Sequence, residues 1–311
     1  MNRMKLGNVL ITGGSGFIGT HLVRLSLNHA DSVTVVDLAS KSSPEVNHIQ
    51  CDIRNLQTMI SRMPSSIDTI FHLAARTSVL ESITDPQTTF QTNVLGTQNV
   101  LEVGRILGAT HFLTSSTNAV VGNFDGDTIT ESAILKPLTP YGSTKAAAEM
   151  LAHSYSASYG VASTMLRLTN VYGEGMWKKD SIVPRLMRTA LGKSQFSIYG
   201  DGDQFRDYVH VSDVVQAFIN LATKSFTGPV IIGSGESVTV KELISLVSEV
   251  VGSPIPYSQV EAKQGEMRGV RVTNALAKTL GVEFKIGLKE GLQRVWQDFA
   301  SIQNTVDKNE A

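Results

Sequence analysis

A glycine-rich turn near the start of the chain constrains the fold more than any other feature. Gly13-x-x-Gly16-x-x-Gly19 follows the apolar run Val9–Thr12 and opens an amphipathic segment over 17–29. Glycines at this spacing, between a strand and a helix, let the backbone approach a pyrophosphate at the positive end of the helix. A turn that merely ends a strand is the alternative, but the flanking strand and helix favour dinucleotide binding.

The first half of the chain alternates short apolar runs with longer amphipathic segments. The apolar runs lie at 9–12, 33–37, 46–51, 69–73 and 111–115, and the predicted helices at 17–29, 54–63, 88–107 and 141–159. Strands that are apolar almost throughout belong in a parallel sheet covered by helices on both faces. We therefore predict an α/β fold with a Rossmann-type, doubly wound parallel sheet.

This alternation becomes irregular after Asn170, which indicates a second unit. Predicted helices at 181–191, 212–223, 239–250 and 288–301 alternate there with short strands and Gly/Pro turns. We interpret this part as a smaller C-terminal α/β lobe that binds the substrate. The predicted limits are 1–169 for the Rossmann domain, with return segments near 208–232, and 170–207 plus 233–311 for the lobe.

Composition excludes several function classes. The formal net charge is −1, and no basic block occurs, so we expect neither nucleic-acid nor membrane-surface binding. A single cysteine, Cys51, excludes a disulfide framework, and no histidine or carboxylate spacing predicts a metal site. No apolar stretch approaches the roughly 18 residues of a membrane span. We expect a cytoplasmic enzyme with a small-molecule substrate.

An acidic residue at the end of the second predicted strand indicates which dinucleotide binds. Asp37 lies about 20 residues after the glycines, where a carboxylate can accept both adenosine ribose hydroxyls and repel a 2′-phosphate. This favours NAD over NADP. A turn or cap role is the alternative for Asp37, and it is a stronger alternative for Asp52, which we also place at the cofactor.

Tyr141 and Lys145 form a pair that predicts redox chemistry. Their spacing of four puts both side chains on one face of a helix. To act as a base near neutral pH, a phenol with a pKa of about 10 needs a shift of about three units, or about 4 kcal/mol. One close cation supplies about that amount, so we predict that Lys145 lowers the pKa of Tyr141. A helix-start tyrosine beside a solvated lysine is the alternative for this pair taken alone.

Five further motifs extend the pattern over nearly the whole chain. They are His72-Leu73-Ala74-Ala75, Asn93-Val94-Leu95-Gly96-Thr97, Ser115-Ser116-Thr117, Pro140-Tyr141-Gly142-Ser143-Thr144-Lys145 and Arg206-Asp207-Tyr208-Val209-His210-Val211-Ser212-Asp213. With the glycine turn, this series resembles the extended short-chain dehydrogenase/reductase family, and within it the UDP-glucose 4-epimerase type of nucleotide-sugar epimerase. The resemblance implies bound NAD, a UDP-sugar substrate and a homodimer formed through the helices near 88–107 and 141–159.

The resemblance also implies roles for three residues. Thr117 would hydrogen-bond the sugar 4-hydroxyl, Tyr141 would take its proton, and Lys145 would hold the nicotinamide ribose. The chain departs from the family at Val121, where relatives usually carry tyrosine. This removes an aromatic hydroxyl near the site but none of the three groups that handle the proton.

The two residues after Thr117 indicate the reaction. Dehydratases of the family carry Asp-Glu there, and its decarboxylases carry a glutamate at the second place, whereas this chain has Asn118 and Ala119. Neither side chain can act as an acid or base near neutral pH. Epimerisation through a 4-keto sugar is therefore the predicted reaction. A nucleotide-sugar 4-ketoreductase and a non-catalytic NAD-binding scaffold are the alternatives.

The motifs and the resemblance together assign two sets of contacts. The cofactor set is Gly13, Gly16, Phe17, Ile18, Gly19, Asp37, Asp52, Ile53, Leu73, Ala74, Ala75, Thr77, Asn93, Ser115, Tyr141, Lys145 and Thr169. The substrate set is Ser78, Thr117, Tyr141, Asn170, Ile182, Tyr199, Arg206, Lys263 and Arg268.

Within the substrate set, Asn170 and Arg206 match residues that meet the nucleotide diphosphate in the family. Relatives that act on uronic acids tend to place threonine at the position of Asn170, so a neutral hexose is favoured. A surface ion pair with Asp203 or Asp207 is the alternative for Arg206. Lys263 stands where the family has a second arginine, for which Arg268 could compensate.

Some conspicuous residues receive no chemical role. His72 and His210 lie in apolar strand contexts, which favour hydrogen-bonded structural histidines. Met150, Met165 and Met187 are interpreted as core residues, together with Met4.

Overall fold

The computed structural model describes residues 6–40, 44–124, 126–261, 269 and 271–310, which form alternating strands and helices. The strands are β1 (Asn8–Thr12), β2 (Ser32–Asp37), β3 (Asn47–Gln50), β4 (Thr69–His72), β5 (His111–Thr117), β6 (Thr128–Ile129), β7 (Ala162–Leu168), β8 (Asn170–Tyr172), β9 (Phe196–Tyr199), β10 (Phe205–His210), β11 (Gly228–Ile232), β12 (Ser237–Thr239), β13 (Tyr257–Val260) and β14 (Arg271–Val272). The helices are α1 (Phe17–Ser26), α2 (Leu56–Arg62), α3 (Val79–Thr84), α4 (Pro86–Phe90), α5 (Gly96–Leu107), α6 (Pro140–Tyr159), α7 (Ile182–Ala190), α8 (Val211–Ala222), α9 (Val240–Val251), α10 (Ala275–Thr279) and α11 (Leu288–Glu310).

Seven parallel strands form the main sheet, in the order β11-β7-β5-β4-β1-β2-β3. The chain moves outward from β1 to β3 and then crosses to the other side of β1 to form β4. The strand order therefore reverses between β1 and β4, and such a switch point opens a crevice at the carboxyl ends of the strands. The predicted Rossmann-type, doubly wound sheet is confirmed.

Adjacent residues of one strand enter the cores on opposite faces of this sheet. Ile70 of β4 packs in the core that contains Val100 of α5, whereas Phe71 packs in the core that contains Phe218 of α8. The two phenylalanine rings meet edge to face, with centroids 5.8 Å apart. Because successive strand side chains point to opposite faces, a sheet covered twice needs continuous apolar runs, which explains the pattern in the sequence.

A smaller core lies beside the main sheet. It includes Val183 of α7, Ile198 of β9, Leu243 of α9 and Phe299 of α11, all at most 3% exposed. The strands here form a three-stranded sheet, β12-β10-β8, and a parallel pair, β13-β9. These elements fall mainly in the segments assigned to the second lobe, whose exact limits stay a prediction.

The helix predicted over 88–107 is three segments in the structure. Helix α4 begins at Pro86, a π-helical turn spans Gln91–Leu95, and α5 continues from Gly96.

Among the methionines interpreted as core residues, Met165 and Met187 are buried, whereas Met150 is 54% exposed on α6. Met4 lies outside the described residues. In the part of the chain that the structure describes, no helix has both the length and the apolar character for a membrane span.

Candidate active site

A cleft of about 1290 Å³ runs along the carboxyl ends of the main sheet and continues between the main sheet and the smaller core. All the predicted site residues line it except Asn93, Lys263 and Arg268. The residues from the glycine turn and β2 lie at one end, and those from α7 and β9 lie at the other. One continuous cleft thus brings together most of the two predicted contact sets.

Asn93 is a correction to the predicted cofactor set. Its side chain is buried in the π-helical turn and accepts from the Arg76 N–H at 2.8 Å. Its amide group donates to the Arg76 carbonyl at 2.9 Å and to Thr144 Oγ1 at 3.0 Å. Asn93 therefore supports the loop after β4 and helix α6 from behind the cleft. Lys263 and Arg268 lie outside the described residues.

The glycine turn has a geometry that only glycine satisfies. Gly13 has a φ of +75°, and a Cβ there would lie 2.6 Å from the Ala74 nitrogen. A Cβ on Gly19 would lie 2.1 Å from the Gly13 carbonyl oxygen. The start of α1 is therefore packed directly against the end of β1, and both face the cleft.

The start of α1 is open to a ligand. Its N-cap, Gly16, provides no side-chain cap, and the first turn carries no acidic residue. The first N–H groups of a helix lack intrahelical partners and carry a partial positive charge, so this end fits a pyrophosphate. The residues present at this end of the cleft therefore fit a dinucleotide.

Asp37 lies at the end of β2, beside this helix start. Its Oδ2 accepts from the Ser15 N–H at 2.9 Å, and its Oδ1 accepts from the Ala39 N–H at 3.0 Å. A carboxylate has about four acceptor positions, so these bonds orient it and leave capacity for ribose hydroxyls. Asp52 differs, because its carboxylate pairs with Arg54 at 2.6 Å, which lowers the pKa of Asp52.

The first turn of α6 places Tyr141. Thr139 caps this helix by accepting from the Gly142 N–H at 3.2 Å, and Pro140 occupies its first turn. The Tyr141 N–H, which no helical carbonyl can accept, donates to Ser82 Oγ at 3.1 Å. Ser82 belongs to α3 and is fully buried, so α3 fixes the beginning of the helix that carries Tyr141. No motif in the sequence marks Ser82.

Lys145 and Thr117 complete the predicted catalytic set. The Lys145 ammonium donates to the Ser115 carbonyl at 2.9 Å, and Thr117 at the end of β5 hydrogen-bonds with Tyr141. All four residues line the cleft. The structure therefore brings the predicted hydroxyl, phenol and ammonium together on one wall.

The predicted lowering of the Tyr141 pKa is wrong, because the pKa is shifted in the opposite direction. Burial raises the pKa of Tyr141 to about 12, and only the hydrogen bond with Thr117 acts the other way. Burial also lowers the pKa of Lys145 to about 8, with the charge of Glu149 opposing the change. The reason is desolvation, which penalises the charged form of each group, the phenolate and the ammonium.

Both conspicuous histidines are structural, as predicted. His72 is buried between two threonines, with Nδ1 2.7 Å from Thr12 Oγ1 and Nε2 2.9 Å from Thr97 Oγ1. His210 caps α8 by accepting from the Ser212 N–H at 3.2 Å. Among the residues that the structure describes, no cluster of three or more potential ligands could hold a metal ion.

Asp207 organises the second half of the cleft. Its carboxylate accepts from Thr169 Oγ1 at 2.7 Å, from the N–H and hydroxyl of Ser234 at 2.9 Å each, and from the Gly235 N–H at 2.7 Å. Its backbone carbonyl accepts from Asn170 Nδ2 at 2.8 Å. The Asp207 carboxylate is therefore bonded to Thr169, Ser234 and Gly235. The neighbouring Arg206 lines the cleft.

Several cationic residues of the cleft were missed by sequence reasoning. Among them are Arg76, Lys178, Lys179 and Arg185. No motif marks them, since they lie on loops and on α7 whose approach to the cleft depends on the fold of the second lobe. Arg76 alone has a local signal, because it directly follows Ala75 in a predicted motif.

The fold and the cleft together define a class of protein: a Rossmann-type dinucleotide-binding protein with a Tyr-x-x-x-Lys pair on the wall of the crevice. The chain belongs to the NAD-dependent epimerase/dehydratase family, which its sequence matches over residues 9–233. The family resemblance stated from the motifs is thus confirmed, and NAD is the cofactor on which this family depends.

The relatives carry more than one reaction name. The UDP-glucose 4-epimerase of Halalkalibacterium halodurans is 31% identical over 93% of this chain and 94% of its own length. The UDP-glucose 4-epimerase of Thermotoga maritima, solved with UDP-glucose, has a TM-score of 0.89 and 31% identity over 95% of this chain and 99% of its own. MoeE5, solved with UDP-glucose and NAD, has a TM-score of 0.87 and 34% identity over 96% of this chain and 100% of its own. At 29–30% identity, other relatives are a UDP-glucuronic acid decarboxylase of Arabidopsis thaliana and a dTDP-glucose 4,6-dehydratase of Streptomyces griseus. Nucleotide-sugar chemistry is common to these names, and the reaction differs among them.

Proposed function

We propose that this protein is an NAD-dependent nucleotide-sugar 4-epimerase that acts on a UDP-hexose. The observation that carries the proposal is the convergence of Thr117, Tyr141 and Lys145 on one wall of the cleft, followed directly by Asn118 and Ala119. The set can exchange a proton with a sugar hydroxyl, and the residues after it offer no acid for a second proton transfer.

Each member of the set has one task. Thr117 orients the sugar 4-hydroxyl by hydrogen bonding, and Tyr141 takes the hydroxyl proton when the sugar is oxidised and returns it when the sugar is reduced. Lys145, held by the Ser115 carbonyl, has further N–H donors for ribose hydroxyls of the cofactor. When bound, NAD would accept the hydride from C4 of the sugar and would bring the positive charge of its nicotinamide into the cleft.

That positive charge would help Tyr141 to lose its proton. With its pKa at about 12, Tyr141 loses its proton at pH 7 only at a cost of about 7 kcal/mol. Lys145 alone does not offset this cost in the structure described. We therefore expect the phenol to become a base only in the complex with oxidised cofactor and substrate, which would keep the free protein from premature chemistry.

Elimination and decarboxylation fit the cleft less well. The carboxylates that line it are Asp37, Asp52, Glu81 and Asp180. The first two belong to the adenosine end, while Glu81 lies 3.4 Å from an Arg76 nitrogen and Asp180 3.5 Å from an Arg188 nitrogen. None of these carboxylates directly follows Thr117. Epimerisation through a transient 4-keto sugar therefore needs fewer acid or base groups than elimination or decarboxylation.

The substrate assignment is supported by Arg206 and Asn170 at the far end of the cleft. A guanidinium matches the geometry and charge of a diphosphate. By the family resemblance, Asn170 favours a neutral hexose, because relatives that act on uronic acids tend to place threonine at this position. The names of the Halalkalibacterium halodurans and Thermotoga maritima relatives point to UDP-glucose and its 4-epimer.

The test is incubation of the purified protein with UDP-glucose, followed by NMR of the sugar products. The proposal predicts UDP-galactose at equilibrium with UDP-glucose and no net formation of NADH. Stoichiometric consumption of NAD(P)H with a 4-keto sugar would select a 4-ketoreductase. Tight NAD binding without reaction on any UDP-sugar would select a non-catalytic scaffold.

We also propose that the protein acts as a homodimer. Apolar side chains on α4, α5 and α6 are exposed, including Phe90 at 55%, Ile106 at 46% and Met150 at 54%. Exposed apolar side chains on neighbouring helices are typical of a surface that is covered by another chain. These helices match the pair implied by the family resemblance, so a second copy of this chain is the proposed partner.

A further inference from the structure

A buried charged cluster lies directly behind the proposed catalytic set. Glu149, Arg167 and Ser116 are 1%, 3% and 4% exposed. Arg167 donates from Nε to Glu149 Oε1 at 3.0 Å and from Nη2 to Glu149 Oε2 at 2.8 Å. Ser116 Oγ donates to Glu149 Oε1 at 2.5 Å. Removing the Glu149 and Arg167 charges from water costs free energy that offsets much of their attraction. The ion pair therefore adds little to the stability of the fold, and another role has to be considered.

Glu149 continues the row that begins with Tyr141 and Lys145. The three residues are four apart on α6 and share one face. Each is tied to one of three consecutive residues of β5. The phenol bonds with Thr117, the ammonium with the Ser115 carbonyl and the carboxylate with the Ser116 hydroxyl. Unlike the other two members of the row, Glu149 does not line the cleft.

Arg167 joins a second strand to this row. It lies on β7 directly opposite Ser116 in the strand pairing, and its Nη1 donates to the Glu131 carbonyl at 3.0 Å. The Glu131 carboxylate in turn accepts from the Ile231 N–H of β11 at 3.0 Å. The Glu149 carboxylate thus fixes α6 against β5, through Ser116, and against β7, through Arg167, at the level of the proposed site.

We propose that Glu149 is a positioning residue: with Arg167 and Ser116, it sets the position of α6 against β5 so that Thr117, Tyr141 and Lys145 meet at one point. The inference rests on the proposed function, which supplies the reaction that these groups carry out. The contacts that hold α6 against β5 do not depend on which reaction it is.

The charge of Glu149 has a second effect, on Lys145. Burial lowers the pKa of Lys145 to about 8, and Glu149 opposes this. The other titratable groups near the ammonium are Tyr141 on the same helix and His72 on β4, and burial keeps His72 neutral by lowering its pKa to about 3. The two causes of the Lys145 shift are thus burial and the charge of Glu149. Loss of the Glu149 charge should therefore convert Lys145 to the neutral amine at a lower pH.

The experiment measures the fluorescence of NADH bound to the protein from about pH 6 to about pH 10. The wild type should show an inflection near pH 8 that Lys145→Met abolishes. Glu149→Gln should move this inflection down by about one pH unit, whereas Glu149→Asp, which keeps the charge, should restore it. Glu131→Gln is the matched control, because it removes a neighbouring carboxylate that faces β11, and it should leave the inflection in place.

Glu149→Gln leaves the Arg167 guanidinium buried without its partner, so this variant could fail to fold. The double variant Glu149→Leu/Arg167→Met removes both charges and should fold, as judged by circular dichroism. In the folded double variant, an altered fluorescence of bound NADH, with kcat reduced more than KM is changed, supports the inference, because α6 is no longer held against β5. Wild-type NADH fluorescence together with a wild-type kcat in that variant overturns it. The fluorescence readout is independent of epimerase activity, so failure of the proposed function would be seen separately in the sugar assay.

Discussion

The Lys145 ammonium donates a hydrogen bond to the Ser115 carbonyl oxygen at 2.9 Å, and both residues line the cleft. A fixed ammonium at the end of β5 can contact a cofactor ribose without first becoming ordered, because the strand already holds it. The fold thus provides, before any ligand binds, the cation on which the proposed chemistry depends.

The first prediction concerns the pH dependence of activity. Burial lowers the pKa of Lys145 to about 8, so the ammonium is present below that pH and is lost above it. We expect kcat to fall as the pH rises through about 8. Lys145→Arg should remove this decrease, because a guanidinium stays charged, while lowering kcat by about 10- to 100-fold through its different shape. A pH profile of Lys145→Arg that still falls near pH 8 would assign the decrease to another group.

The second prediction concerns the choice of dinucleotide. Asp37→Asn keeps the shape of the side chain but removes the charge that repels a 2′-phosphate. We expect the Kd for NAD to rise by about tenfold and the preference for NAD over NADP to shrink by more than that. Titration with each dinucleotide measures both effects. Asp52→Asn is the control, since its carboxylate pairs with Arg54, and it should keep the wild-type preference.

The third prediction concerns acid stability. Burial lowers the pKa of His72 from an ordinary 6.5 to about 3, so between these values the unfolded chain binds a proton that the folded protein does not. Stability therefore falls as the pH drops below 6.5, by about 2 kcal/mol between pH 6.5 and pH 4.5. His72→Gln, which can still bond to a threonine on either side, should lose most of this dependence.

Urea unfolding at the two pH values measures this difference. His153→Gln, at an exposed position on α6, is the matched control and should behave as the wild type. Equal pH dependence in wild type and His72→Gln would show that other groups dominate acid unfolding.

The fourth prediction concerns assembly. Phe90→Glu places a charge on the exposed apolar surface of α4 and should convert the proposed dimer into monomers in sedimentation experiments. Tyr257→Glu is the control, because Tyr257 is similarly exposed, at 51%, but lies on β13. A wild-type protein that sediments as a monomer would remove the basis for the dimer.

Much of the fold could be predicted because its signals are local. Continuous apolar runs indicated strands buried on both faces of the sheet, and the glycine turn at Gly13 indicated where β1 ends and α1 begins. The helices α3 and α10 were not predicted. Each is at most six residues long, which is too short for a helical period, and α3 exposes the apolar Leu80 and Ile83.

The residues of the candidate site could be predicted from the sequence more reliably than their pKa values. Tyr141 and Lys145 follow from their spacing, and Thr117 follows from the family resemblance; the structure brings the three together. The direction of the Tyr141 pKa depends on burial, which no spacing records. Asn93 was misassigned for a similar reason, since its bonds to Arg76 and Thr144 arise from a π-helical turn in the backbone.

The central claim is that the hydride removed from C4 of the sugar returns to the same carbon. Incubation with UDP-glucose deuterated at C4, followed by mass spectrometry and NMR of the sugars, tests it most directly. The account predicts UDP-galactose that retains deuterium at C4 without release of reduced cofactor. Loss of the label to solvent, or the absence of UDP-galactose from a protein that holds NAD, would contradict it.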